Sequence, residues 1–280
     1  MDGVEVVIPG GFEQQGRWQR SVWLRPLCGR DEMFLCQEGR ALAPAARTTA
    51  LLARCLALQG GSAPAGADFC RSLSAGDREA LLLHLRRITF GDSMACLLVC
   101  PACGEKLEVD LTVSDLVLGP YEHEGQEHVA TLGGLTVRFR LPAGADLEAA
   151  LPVVRRDPAA AEREVLRRSM LSVTDEQGSP VAEVPGAVFE ELPALMAELD
   201  PQAEVALDAR CPSCEKGFTV VLDAARYLEA EVVQAGERLF REIHVLASHY
   251  HWSESEILSM TARQRRRYAE LIASVTEGGG

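Results

Sequence analysis

Apolar and polar positions alternate at the start of the chain. Val4, Val6 and Ile8 recur at every second residue, predicting a half-buried strand that Pro9-Gly10-Gly11 ends. Val22 and Leu24 open a second strand, and Cys28-Gly29-Arg30-Asp31-Glu32 reads as a turn into Met33-Phe34-Leu35. Residues 1–42 are therefore expected to be a β-rich segment. The pattern then turns helical over 43–92. One helix is predicted over Ala45 to Leu58, stopping at Gly60-Gly61. The next has Ser74 as N-cap with Asp77 three residues on, a stripe of Leu81, Leu82, Leu85 and Ile88, and Gly91 as its stop.

Further on, Gly133-Gly134 predicts a hairpin, with Leu135, Val137, Phe139 and Leu141 on one face. Asp157 with Pro158 starts a helix that runs to about Leu171, and Asp175-Glu176-Gln177-Gly178 is a polar loop. A helical region covers Phe189 to Leu199, where Pro193 must start or kink it. Residues 118–204 thus read as an inserted subdomain of mixed strands and helices. The C-terminal region, 223–277, is the most regular. Leu228, Val232, Ala235, Leu239, Ile243, Leu246 and Tyr250 recur at spacings of three and four, predicting one helix from Ala225 to Tyr250. Ser253 with Glu256 forms a capping box stapled by Trp252 and Ile257; Thr261 with Gln264 forms a second, and Gly278-Gly279-Gly280 frays.

Two Cys-Pro-x-Cys knuckles interrupt this pattern: Cys100-Pro101-Ala102-Cys103 and Cys211-Pro212-Ser213-Cys214, with 107 residues between them. Each follows an apolar run, Leu97-Leu98-Val99 or Val205-Ala206-Leu207. Each leads into alternation: Leu107, Val109, Leu111 and Val113 after the first, and Phe218, Val220 and Leu222, less cleanly, after the second. Strand, knuckle, strand, twice over, is how a four-cysteine zinc ribbon is built, because two intervening residues let both thiolates reach one tetrahedral ion. The expected cofactor is structural Zn2+ on Cys100, Cys103, Cys211 and Cys214, in a ribbon made of 93–117 plus 205–222. Four thiolates leave no open position for catalysis. A redox CxxC should open a helix, and these knuckles open into strands. The other five cysteines, Cys28, Cys36, Cys55, Cys70 and Cys96, read as free thiols in apolar settings rather than as a disulfide framework.

The composition adds little to that: 280 residues, 47% hydrophobic and 25% charged, describe an ordinary globular protein. The net charge of −13 matters more, because it opposes non-specific binding to nucleic acid. An acidic N-terminus and the lack of an 18-residue apolar stretch predict a cytoplasmic protein with no membrane partner. His244, His249 and His251 raise the possibility of a second metal or a base, but no HExxH and no paired carboxylate accompanies them, so they read as helix-end histidines. A nucleophile elbow, a phosphate loop and a dinucleotide fingerprint are all missing from the sequence, so no enzyme is expected. In the run from Arg263 to Arg267, Arg263, Arg266 and Arg267 share one helix side and Tyr268, Leu271 and Ile272 the other. The run reads as a solvated face or as a contact site for an acidic partner. A helix-turn-helix reading of the last helices conflicts with the charge.

Several of these strings resemble one family when taken in order. They are HVLASHYHWSESEIL at 244–258, RRRY at 265–268, GDREALLL at 76–83, the two knuckles, and Phe139 to Pro142 followed by Asp146 and Leu147. Over roughly 74–272 the chain resembles the T4-type baseplate hub assembly chaperones of contractile-tailed phages and phage-like injection systems. The resemblance implies an assembly factor or minor structural subunit whose partners are baseplate hub or spike proteins, in the cytoplasm or also in the assembled particle. On this reading Tyr250, Trp252, Arg265, Arg266 and Arg267 form the partner surface, since aromatic and arginine side chains are the usual interface anchors. The alternative is a zinc-ribbon nucleic-acid-binding accessory protein. The expected fold is α+β: a β-rich start, a ribbon closed by distant halves, an insertion and a helical C-terminus.

Overall fold

The computed structural model describes residues 3–58, 63–122, 125, 127–154 and 157–277. It opens with an antiparallel hairpin, β1 (Val4–Gln14) and β2 (Arg17–Leu24), that puts Val6, Ile8, Phe12, Val22 and Leu24 inside. Val22 and Leu24 thus end a strand rather than begin one. The register shifts between Val7 and Phe12, and at that bulge the Gly10 and Gly11 N–H groups donate to the Asp77 carboxylate at 2.8 and 3.0 Å. Short strands β3 (Leu56–Leu58) and β4 (Ala63–Pro64) complete a sheet of order β1-β2-β3-β4.

The expected turn at 28–32 and strand at 33–35 are corrected. Gly29–Cys36 is a helix, α1, followed by a 3-10 turn at Glu38–Ala41. Asp31 makes the helix possible: its carboxylate accepts from the Cys28 N–H at 3.0 Å and pairs with Arg25 at 2.6 Å. Helix α2 (Pro44–Cys55) stops three residues before the predicted end because Leu56 already enters β3. The predicted stop at Gly60-Gly61 lies outside the described residues. After α3 (Ala67–Ser72) comes α4 (Ala75–Phe90), capped as predicted: Ser74 Oγ accepts from Asp77 N–H, and Gly91 at φ +103° ends the helix. Leu81, Leu82 and Leu85 lie in the main core between the hairpin and the later helices.

Two further hairpins leave this core: β5 (Ser93–Val99) with β6 (Lys106–Thr112), and β10 (Val205–Arg210) with β11 (Gly217–Leu222). One face of each packs inward: Met94, Cys96 and Leu98 from the first, Leu207, Phe218 and Val220 from the second. A one-turn helix, α5 (Val113–Leu116), follows the first hairpin.

The chain between the hairpins carries its own core. Sheet β7 (His128–Leu132), β8 (Leu135–Phe139) and β9 (Met170–Thr174) packs with α7 (Pro158–Ser169) and α8 (Gly186–Leu199) around Val137, Phe139, Leu166 and Leu192. The Gly133-Gly134 hairpin and the Asp157 cap stand where predicted, and Pro193 lies inside α8. Helix α6 (Gly144–Val154) and strand β9 are additions to the predicted elements. Polar latches fasten this unit to α4. Asp200 accepts from the Gly76 N–H at 2.9 Å and the Tyr121 hydroxyl at 2.7 Å, and Gln202 bonds Leu116 and Leu118 backbone groups. A β-carbon at Gly76 would sit 1.9 Å from Asp200 Oδ1, so only glycine allows the approach.

The last helices are α9 (Ala224–Tyr250), α10 (Glu254–Ser259) and α11 (Ala262–Glu277). Both predicted capping boxes form: Ser253 with Glu256, and Thr261 with Gln264. Ile257 is buried. The glycines at 278–280 lie outside the described residues. The fold is mixed α+β, and no described helix is long and apolar enough to cross a membrane.

Candidate metal centre and partner surface

Each knuckle is built by the same backbone hydrogen bonds. Cys100 N–H donates to Glu105 C=O at 2.8 Å, and Gly104 N–H to Cys100 C=O at 2.9 Å. In the second, Cys211 N–H donates to Lys216 C=O at 3.0 Å, and Glu215 N–H to Cys211 C=O at 2.9 Å. The residue after each second cysteine is left-handed: Gly104 at φ +77°, where glycine is unstrained, and Glu215 at φ +60°. The two turns are thus copies in geometry as well as in sequence.

The fold brings these copies together. Cys100 Sγ lies 3.7 Å from Cys214 Sγ, and Cys103 Sγ 3.5 Å from Cys211 Sγ. All four sulfurs fall within 4.8 Å of one another, and no disulfide forms. A tetrahedron of sulfurs about 2.3 Å from a central ion has edges of about 3.8 Å, so the four donors fit a single tetrahedral metal. Cys100 and Cys211 are buried, whereas Cys103 is exposed.

The two thiols of the first knuckle shift in opposite directions. Desolvation raises the Cys100 thiol, but the Ala102 and Cys103 N–H groups and neighbouring thiols outweigh it and bring it down to about 7. The Glu105 N–H lowers Cys103, yet bonds to Cys211 and its neighbours push that thiol up to about 12. Four thiolates this close repel one another, and a divalent ion removes the conflict.

The other cysteines are free thiols: Cys55, Cys70 and Cys96 are buried, Cys28 and Cys36 half-buried. Burial raises Cys55 and Cys70 well above the ordinary thiol range. The histidines do not assemble. Helix α9 ends at Tyr250 and His251 turns left-handed at φ +58°, which takes it off the face it would share with His244. The four knuckle cysteines are the one metal-suited cluster among the described residues.

Of the five residues expected at a partner surface, four are accessible. Tyr250 stacks on Trp252 with ring centres 4.6 Å apart, and Tyr268 meets Trp252 edge-on at 4.9 Å; Tyr250 and Trp252 are half-buried. Arg266 and Arg267 are exposed. Arg265 is a correction: it is 1% exposed and lies inside the protein. Its guanidinium bonds Glu242 and Glu32 at 2.7 Å each and the Met260 carbonyl at 2.8 Å, tying α11 to α9 and α1. A 100° step per residue turns the middle arginine of the run inward while its neighbours face solvent.

A cleft of about 560 Å³ opens where the hairpin bulge, α3 and the segment before α6 meet, walled by Phe12, Trp18, Phe69 and Leu141. Phe12 and Phe69 meet edge-on at 4.8 Å. Asp77 at this cleft is pushed up to about 7 by burial, although Gly10 and Gly11 donate to it.

No curated protein and no solved structure matches the chain. The family described as T4 bacteriophage base plate protein matches residues 21–225. That span takes in the last four residues of β2 and all of α1, which precede the region of the resemblance. It ends at the start of α9, so the C-terminal strings lie beyond it. It contains both knuckles, the inserted unit and α4, and on that match the chain belongs to the T4 bacteriophage base plate protein family.

Proposed function

We propose that this protein is a non-enzymatic assembly factor, or a minor structural subunit, of the baseplate hub in a contractile phage tail or phage-like injection system. It works in the cytoplasm where the baseplate is built, and its partners are hub or spike proteins. Family membership over 21–225 is the observation that carries the reading. Zn2+ on Cys100, Cys103, Cys211 and Cys214 makes the two hairpins one ribbon, and the sulfur spacing supports that assignment. Bound there, the ion supplies structural cross-linking; the chain's own knuckle N–H groups hold the thiolates in place.

The surface offered to partners is the Tyr250–Trp252–Tyr268 cluster together with the exposed Arg266 and Arg267 of α11. Arg265 acts from within, by fixing α11 so that its neighbours face outward. The residues flanking the knuckles, Glu105, Lys106, Glu108, Asp110, Glu215 and Lys216, are mixed to acidic, which favours a protein partner over nucleic acid. The test is co-purification of tagged protein with hub proteins from cells assembling particles. Replacing both Trp252 and Arg266 by alanine should abolish capture while the circular dichroism spectrum stays native. Undiminished capture by the folded double variant would reject this surface.

A further inference from the structure

A second recess lies away from the cysteines and shares Arg266 with the proposed partner surface. It encloses about 290 Å³ between the end of α4, the middle of α9 and the start of α11, and is lined by Phe90, Glu231, Gln234, Ala235, Arg238 and Arg266. Glu231 is already taken, since Arg86 holds its carboxylate through two bonds of 2.9 and 2.7 Å. The two arginines are different. Arg238 and Arg266 are exposed, and neither has an ion-pair partner among the described residues. Two exposed guanidinium groups without an ion-pair partner, set beside Phe90 and Ala235, are unusual on a chain of net charge −13.

Their meeting is built, because Arg265 next door is locked to Glu32 and Glu242 and fixes the rotation of α11 against α9. From this geometry we propose that the recess binds an acidic segment of a partner protein. A carboxylate sits between Arg238 and Arg266, and the adjacent apolar side chain rests on Phe90 and Ala235. Arginine suits this role because its planar fork takes a carboxylate by two bonds. Charge complementarity chooses a short acidic peptide over a polynucleotide. A long polyanion would overrun the recess and meet a chain of net charge −13, whereas one or two carboxylates fit within it. The proposal rests on the assembly reading above and names the chemistry of the partner.

The experiment uses the full chain and a fluorescein-labelled peptide of alternating Glu and Leu. Controls are an alternating Lys and Leu peptide and a single-stranded oligonucleotide of equal charge. Fluorescence anisotropy should show the acidic peptide binding, weakening with salt, and losing about tenfold in affinity in R238A/R266A. The R241A variant, whose arginine pairs with Glu237, should bind unchanged. Equal binding by R238A/R266A, or none by the unaltered protein, overturns the proposal. So does an oligonucleotide that binds more tightly than the peptide and is lost in the same variant. Hub co-purification separates the two readings: capture unaffected by R238A, whose arginine lies outside the aromatic surface, rejects the recess alone, whereas no hub protein captured by the unaltered chain rejects the assembly role.

Discussion

If a zinc ion joins the knuckles, removing it should release a long loop. Cys103 and Cys211 are 108 positions apart, and the segment between them holds the whole second core. Closing a loop of about 110 residues costs the chain about 4.8 kcal/mol of entropy at 25 °C. A metal bound to the folded state a thousandfold above its dissociation constant contributes about 4 kcal/mol, which is of the same size. Stripping the ion, or substituting Cys211→Ser, should therefore destabilise the protein by about 4–5 kcal/mol. For a chain of this size that lowers the melting midpoint by about 10–20 °C. The assay is calorimetry on the metal-loaded protein, on chelator-treated protein whose metal loss is verified, and on C211S. Hydrogen exchange should rise first in β5, β6, β10 and β11, whose inner faces lie at the edge of the main core. A midpoint that moves by less than about 2 °C after proven metal loss would refute the reasoning.

Two other outcomes follow from buried charge. Substituting Arg265→Met leaves Glu32 and Glu242 facing each other without a cation, and burial already pushes Glu32 up; urea denaturation should show a loss of about 3–5 kcal/mol, and a loss under 1 kcal/mol would mean the site relaxes or hydrates. Burial raises Glu79 to about 7, although its carboxylate accepts from the Ala224 N–H at the start of α9. Because the folded state then holds a proton that the unfolded state has lost, stability from this group falls as pH rises from about 4.5 to 7 and is level above that. In Glu79→Gln, which keeps the acceptor, that slope should shrink, with a gain of up to about 3 kcal/mol at pH 8. An unchanged stability–pH slope between pH 5 and 7 would show that Glu79 is ionised in the fold.

What the sequence made legible was whatever local chemistry determines. The knuckle spacing, the Ser74 and Asp157 caps, the Gly133-Gly134 turn and the two C-terminal capping boxes each depend on residues within a few positions, and each stands where it was read. Helix α1 was hidden because its inward face includes Asp31 and Glu32, whose partners, Arg25 and Arg265, come from outside the helix. Hydrophobic periodicity cannot register a buried carboxylate. Strand β9 was absorbed into the preceding helix because Met170 follows Ser169 with no turn residue between them. The arginine run reads as one exposed face, yet the acids that draw Arg265 inward lie 23 and 233 positions away. The Arg238–Arg266 recess was unreadable for the same reason, since α10 must fold back before the two meet.

The central claim is that one ion joins two distant knuckles, and X-ray absorption at the zinc edge on the purified full chain tests it most directly. The account predicts one zinc per chain in a shell of four sulfurs at about 2.3 Å. A chain that carries no zinc when purified from zinc-replete cells, or a shell containing nitrogen or oxygen donors, would contradict it.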